Sequence, residues 1–220
     1  VMAKRKPTKK YYFSVEGETE RWYLEWLSDQ INGTEESAYN VSFKIKIEKD
    51  PRKMVKSLTI SGKTDIWHLS DYESNDPDHV RQFTETMDNM KKAQGMGKTV
   101  KYYFGYSNFS FDLWIVLHRM NCNQALAHRS QYLSYINRAY EENFENMDKY
   151  KRENNFKRCL NKLDLESVRD AIGRAEAIMD NREKDGCTLR EYRGFTYYKE
   201  NPSLEVWKAI KMILTDCKLM

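Results

Sequence analysis

Apolar positions follow two rhythms along this chain, and the rhythm changes once. Lys9 to Val15 (KKYYFSV) is an aromatic and β-branched run that stops at Gly17, which predicts a strand. Over residues 19–31, Trp22, Tyr23, Trp26, Leu27 and Ile31 recur at helical spacing. Residues 41–48 (VSFKIKIE) alternate strictly, predicting a strand with one polar face near a sheet edge. Residues 51–60 predict a short helix, with Pro51 suited to its first turn. Residues 64–70 (TDIWHLS) predict a strand, Asp76-Pro77 opens a helix to about Gln94, and 98–104 (KTVKYYF) predict another strand. Strict alternation of strand and helix implies right-handed crossovers. The expected fold class is α/β, with about four mostly parallel strands flanked by helices.

After Phe109 the pattern becomes helical and polar-aromatic. Helices are expected over 129–149, 164–182 and 203–218, with Asp164 capping the second and Pro202-Ser203 opening the third. Residues 183–200, with Gly186 and Gly194, read as loop with a short extended piece. This divides the chain into a basic, disordered arm over 1–10, an α/β core over 11–120 and a helical region over 121–220.

The strand ends carry the candidate chemistry. Glu16 closes the first apolar run, and Asp71 and Glu73 close the third. In α/β sheets, ligands sit beyond the carboxyl ends of the strands. Glu16, Glu20, Asp71 and Glu73 converge there on this reading, with Asp112 nearby and Ser107 and Asn108 following the last strand. Gly17 would let the backbone turn sharply and leave room for a phosphate. Oxygen ligands in this number suit a hard divalent cation such as Mg²⁺ or Mn²⁺, and a pair of such ions handles phosphodiesters. The competing reading is plain: the helix dipole favours Glu18 and Glu20 in a first turn, and loop acids are solvated. Asn108 would cap the following helix. Asp112 and His118 face an active site on one reading; on the other they are a first-turn carboxylate and a core histidine.

Composition narrows the field. Of 220 residues, 40% are hydrophobic and 32% charged, enough for a core beneath a wet surface. No apolar run approaches a membrane span, and no export leader is apparent, so a cytoplasmic, membrane-free protein is expected. The four cysteines, Cys122, Cys159, Cys187 and Cys217, have no zinc spacing. Lys4, Arg5, Lys6, Lys9 and Lys10 supply five positive charges; removing them from the net +4 leaves about −1. Charge is therefore weak evidence for nucleic acid. Basic and aromatic residues interleave from Arg138 through Tyr140, Tyr150, Lys151 and Arg152 to Phe156 and Arg158, which suits a nucleic-acid surface and equally an amphipathic helix. The GMGKT segment, Gly95–Thr99, is no P-loop: Lys92 stands where the first glycine belongs, and a strand follows instead of a helix.

Three blocks in order, VEGETE, LSDYESND and SNFSFDLWIVLH, resemble the RloB-like proteins, also called AbiLii-type abortive-infection proteins. The closing NPSLEVWKAIKMIL, Asn201 to Leu214, is similar to that family's C-terminal helix. The resemblance implies a Toprim-like fold, as in topoisomerases, primases and OLD-family nucleases, which bind Mg²⁺ and handle phosphodiesters. By position, Glu16 is the first-strand glutamate, Glu20 matches the second acid of the OLD-like variant, and Asp71 and Glu73 stand at the DxD pair. Glu73 is one methylene longer than the aspartate expected there, and Asp112 one shorter than the usual glutamate. The implied function is anti-phage defence by metal-dependent cleavage of DNA or RNA. Glu16, Asp71 and Glu73 would hold Mg²⁺ (or Mn²⁺), Glu20, Asp112 and His118 would assist, and Gly17, Ser107, Asn108, Lys151 and Arg152 would meet nucleic acid. The alternative is a catalytically degenerate module that relays a signal. Either way the implied partner is an RloA-like AAA/ABC-type ATPase, and self-association into a homo-oligomer stays open.

Overall fold

Strand β1 (Thr8–Val15) runs through the middle of a parallel sheet, paired on one side with β2 (Asn40–Ile47) and on the other with β3 (Thr64–Asp71). The computed structural model describes residues 6–60 and 62–220. β3 pairs in parallel with β4 (Val100–Asn108), from Thr64 opposite Val100 to Asp71 opposite Ser107. Three helices make the crossovers: α1 (Glu18–Gly33), α2 (Pro51–Ser57) and α3 (Pro77–Gln94). β2 is the outer strand, as its alternation predicts, and Lys44 and Lys46 discourage edge-to-edge pairing.

The second half continues through α4 (Asp112–Leu117), a 3₁₀ turn (Arg129–Gln131), α5 (Tyr132–Tyr140), α6 (Met147–Tyr150), α7 (Glu153–Leu160) and α8 (Leu165–Lys184). A hairpin of β5 (Arg190–Tyr192) and β6 (Phe195–Tyr197) follows, then β7 (Ser203–Leu204) and α9 (Val206–Asp216). β7 pairs antiparallel with Ser107 and Asn108. Among the described residues the main sheet therefore has five strands, ordered β2-β1-β3-β4-β7, and is mixed at one edge.

Side chains alternate across the sheet as strand geometry requires. Tyr11, Phe13, Val15, Trp67 and Leu69 enter one apolar core, together with α1, α4, α5, α7, α8 and α9. Ile66, Val100, Tyr102, Phe104 and Tyr106 enter a second core, with α3 and β6. The helical region of 121–220 thus shares its main core with α1 and the sheet. No described helix is long and apolar enough to cross a membrane.

Several expectations need correction. The arm drawn over 1–10 is a strand from Thr8 onward, and Lys6 Nζ donates to the carbonyls of Thr34 (2.8 Å) and Glu35 (3.0 Å). The part of that arm in residues 1–5 lies outside the described residues. The helix expected over 129–149 breaks at Glu141, whose φ of 52° is left-handed. Asn137 seals that break by bonding both backbone groups of Phe144. The helix expected from Ser203 starts at Val206, because Ser203 and Leu204 pair with β4. The helix expected to reach 60 stops at Ser57, where Lys98 Nζ donates to the carbonyls of Val55 (2.7 Å) and Leu58 (2.5 Å). The lysine of GMGKT therefore caps a helix C-terminus, the polarity a cation favours.

Candidate functional site: an acidic cluster at the carboxyl edge of the sheet

Parallel register brings the ends of β1, β3 and β4 to one edge. Glu16 follows β1 directly, Asp71 ends β3, and Asp112 opens α4 just past β4. Backbone and hydroxyl donors pin each carboxylate. Ser70 Oγ donates to Glu16 Oε1 (2.9 Å), and the Asp71 amide reaches Glu16 Oε2 at 3.4 Å. Asp71 Oδ1 accepts from the Phe111 amide (2.8 Å), stitching β3 to the loop before α4. Ser110 Oγ donates to Asp112 Oδ2 (2.8 Å). Glu20, enclosed in the first turn of α1, accepts from Thr19 Oγ1 (3.1 Å). Gly17 is extended, with φ −151°, so no sharp turn requires glycine there. A Cβ at that position would stand 3.2 Å from Glu20 Oε2; the glycine makes room for a carboxylate rather than a phosphate.

Electrostatics shows that these groups feel one another. Burial holds the Asp71 carboxyl well above the usual aspartate range, and Glu20, Glu16 and Asp112 push it further. Burial raises Glu20, and the charge of Glu16 adds to it. Burial also raises Glu16, against the opposing pull of Ser70 and Lys49. The compensating cation is Lys151, at the turn between α6 and α7, whose Nζ lies 3.1 Å from Asp112 Oδ2. Burial disfavours its charge, but Asp112 and Asp71 outweigh that and hold Lys151 above the ordinary lysine range.

Not every expected residue joins. Glu73 lies at the rim, with Oε2 3.2 Å from Arg129 Nη1 and 3.3 Å from His79 Nε2. It lines a cleft of about 240 Å³ with Glu16, Ser70, Asp71, Lys49 and His79, and its charge raises Glu16 although its carboxylate is paired at the rim. His118 is a core histidine. It is 2% exposed, its Nδ1 lies 2.8 Å from the Trp114 carbonyl, its Nε2 lies 3.1 Å from Tyr23 Oη, and burial lowers its pKa to about 4. Ser107 and Asn108 are buried within β4, where Asn108 Nδ2 donates to the Lys199 carbonyl, so neither can meet a nucleic acid. Nor does Asn108 cap α4, which starts four residues later without a side-chain cap. Lys151, expected to touch nucleic acid, is bound to Asp112; Arg152 beside it is exposed. The aromatic residues interleaved with these cations, Tyr140, Phe144, Tyr150 and Phe156, are core.

Sequence reasoning missed Ser70, Ser110, Lys49, His79 and Arg129. Only Ser70 and Ser110 had a usable signal, as hydroxyls next to Asp71 and within two residues of Asp112.

Over residues 11–213 the chain matches the family model described as RloB-like protein. The chain belongs to the RloB-like family. No curated protein and no solved structure matches it. The clustered carboxylates are hard oxygen donors of the kind a divalent cation takes, and Lys151 is the cation placed against them. Asp112 Oδ1 is moreover buried with no hydrogen-bond partner. In the present arrangement no group of three His, Cys, Asp or Glu among the described residues is placed to hold an ion.

Proposed function

We propose that this RloB-like protein is a defence component that cleaves phosphodiesters of DNA or RNA with Mg²⁺ or Mn²⁺. One observation carries the reading: Glu16, Glu20, Asp71 and Asp112, drawn from three separate stretches of the sequence, form a mutually repelling group at the edge where α/β sheets bind ligands. Glu16, Asp71 and Asp112 would hold the cation, with Glu20 beside them; Glu73 would stay at the rim with Arg129. A bound divalent cation would neutralise phosphate charge and lower the pKa of an attacking water. The chain's own groups would do the rest. Ser70 and the Phe111 amide hold Glu16 and Asp71 in place. Lys49 and Arg129 border the same edge as cations suited to backbone phosphates.

A second reading has its own support. Lys151 already neutralises part of the cluster, and Glu73 is already paired. On that reading the chain is a degenerate module that binds nucleic acid or a signal and relays it to an RloA-like AAA/ABC-type ATPase. Cleavage assays with Mg²⁺ and Mn²⁺ on labelled DNA and RNA decide between them. Parent protein should cleave and Glu16→Gln should not, while both keep the same circular dichroism spectrum. Full activity in Glu16→Gln would end the nuclease assignment. Absence of calorimetric metal binding at millimolar concentrations would favour the relay.

A further inference from the structure

Lys151, expected to meet nucleic acid, is paired instead with an acid of the cluster. It lies on the turn after α6, a helix of four residues. Its side chain stays 40% exposed along the stem, while the ammonium reaches a carboxylate that is 1% exposed. That carboxylate is half satisfied: Asp112 Oδ2 has Ser110 and Lys151, whereas Oδ1 has no partner. Tyr150, the neighbour of Lys151, has a buried hydroxyl that also lacks a partner. The Tyr150 hydroxyl lies close enough to feel the Asp112 charge, yet the two do not meet in a well-formed hydrogen bond.

We propose that Lys151 is the resident counter-ion of the acidic cluster, and that a divalent cation binds by displacing it from Asp112. The idea rests on the metal-binding reading above and adds a coupling to it. It explains why carboxylates that repel one another present no group ready to hold an ion: an ammonium on Asp112 supplies the positive charge. Ser110 and Lys151 already occupy Asp112 Oδ2, so a cation that takes both oxygens of this carboxylate expels the ammonium. Expulsion removes one tie on the short turn of residues 147–152, whose other ties are the bonds of Asn146 and Asn155 to the Lys149 backbone and the Tyr150–Phe156 ring contact at 5.6 Å. Metal occupancy at the sheet edge is thereby linked to the exposed surface around Lys149 and Arg152. That is the surface through which a partner or a substrate strand would sense the loaded site.

Calorimetric titration of Mn²⁺ into the parent, Lys151→Met and Lys151→Arg at one pH tests the competition. Lys151→Met should bind Mn²⁺ about tenfold more tightly than the parent, and Lys151→Arg no more tightly than the parent. Equal or weaker binding by Lys151→Met overturns the proposal, as does Lys151→Arg binding as tightly as Lys151→Met. Trypsin cleavage of the parent at Lys149, Lys151 and Arg152 gives a readout free of any variant. Saturating Mn²⁺ should speed it several-fold, and an unchanged rate refutes the coupling even where Lys151→Met fails to fold. Tighter Mn²⁺ binding by Lys151→Met without nucleic-acid cleavage by the parent would uphold the counter-ion role and defeat the nuclease. No binding by any form would defeat both.

Discussion

Replacing Asp71 by asparagine should make the metal-free protein more stable, which is unusual for a buried, hydrogen-bonded acid. Asparagine keeps an oxygen for the Phe111 amide and removes only the charge. Three acids, Glu20, Glu16 and Asp112, disfavour that charge, and one cation, Lys151, favours it. Two unit charges ~6 Å apart at an effective dielectric of ~20 interact by about 3 kcal/mol. Lys151 cancels much of the sum, and Asp71 opens partly onto the cleft, so solvent screens the rest. A net gain of about 1–2 kcal/mol remains, or about 2–8 °C in a chain of this size. The sign fixes the pH dependence. The folded carboxyl is raised above its unfolded value of ~3.9, so its stabilising protonated form is complete below that pH. The contribution is lost as pH rises through the higher folded value. Other carboxylates, such as Asp50, Asp164 and Glu142, are shifted downward and behave oppositely, so the parent's own profile is a sum. The difference between variant and parent isolates Asp71. Thermal melts in EDTA should show that difference near zero at pH 4 and rising to its full value by pH 8. A variant less stable than the parent at pH 8, or an offset equal at both pH values, would refute the reasoning.

Two further substitutions test the scaffold that brings the acids together. In Gly105→Ala, the new Cβ would stand 2.7 Å from Leu69 Cδ2 and 3.2 Å from Val206 Cα. Because α9 packs directly on β4 there, the cost should be about 1–3 kcal/mol by urea denaturation, and a fully stable variant would contradict the close approach. Tyr132→Phe deletes a hydroxyl that donates to the Asn108 carbonyl (3.0 Å) and accepts from Asn201 Nδ2 (3.0 Å). The loss should be about 1–2 kcal/mol, since Asn201 still covers that carbonyl; an unaltered denaturation midpoint would show the network to be slack.

The α/β half was legible because its side-chain periods are enforced by burial on known faces. The strict alternation of VSFKIKIE marked β2 as an outer strand, and β1 and β3 show the dense apolar runs of strands covered on both sides. β4 runs past the expected end at 104 to Asn108, through Gly105, Ser107 and Asn108, whose strand propensity is low. They are extended because Gly105 to Ser107 pair with Leu69 to Asp71 of β3, and Ser107 and Asn108 also pair with a two-residue strand almost a hundred positions later. No local pattern encodes such a pairing. The same holds for the break at Glu141, where an asparagine bridge overrides helical periodicity.

The site divides along the same line. Its carboxylates were legible because each stands at the end of an element whose ends the sequence announces. Its cations were not. Arg129 reaches Glu73 from 56 positions away, and Lys151 reaches Asp112 from a turn between two short helices. A charged residue on a helical stretch looks the same whether its ammonium meets water or an acid buried in another part of the fold. That ambiguity decides the chemistry. Read as solvated, Lys151 leaves an acidic cluster without a nearby counter-charge; seated on Asp112, it supplies that charge, and on the counter-ion proposal a divalent cation would have to displace it. On that proposal the acids would set where a cation binds, and the lysine would set how tightly.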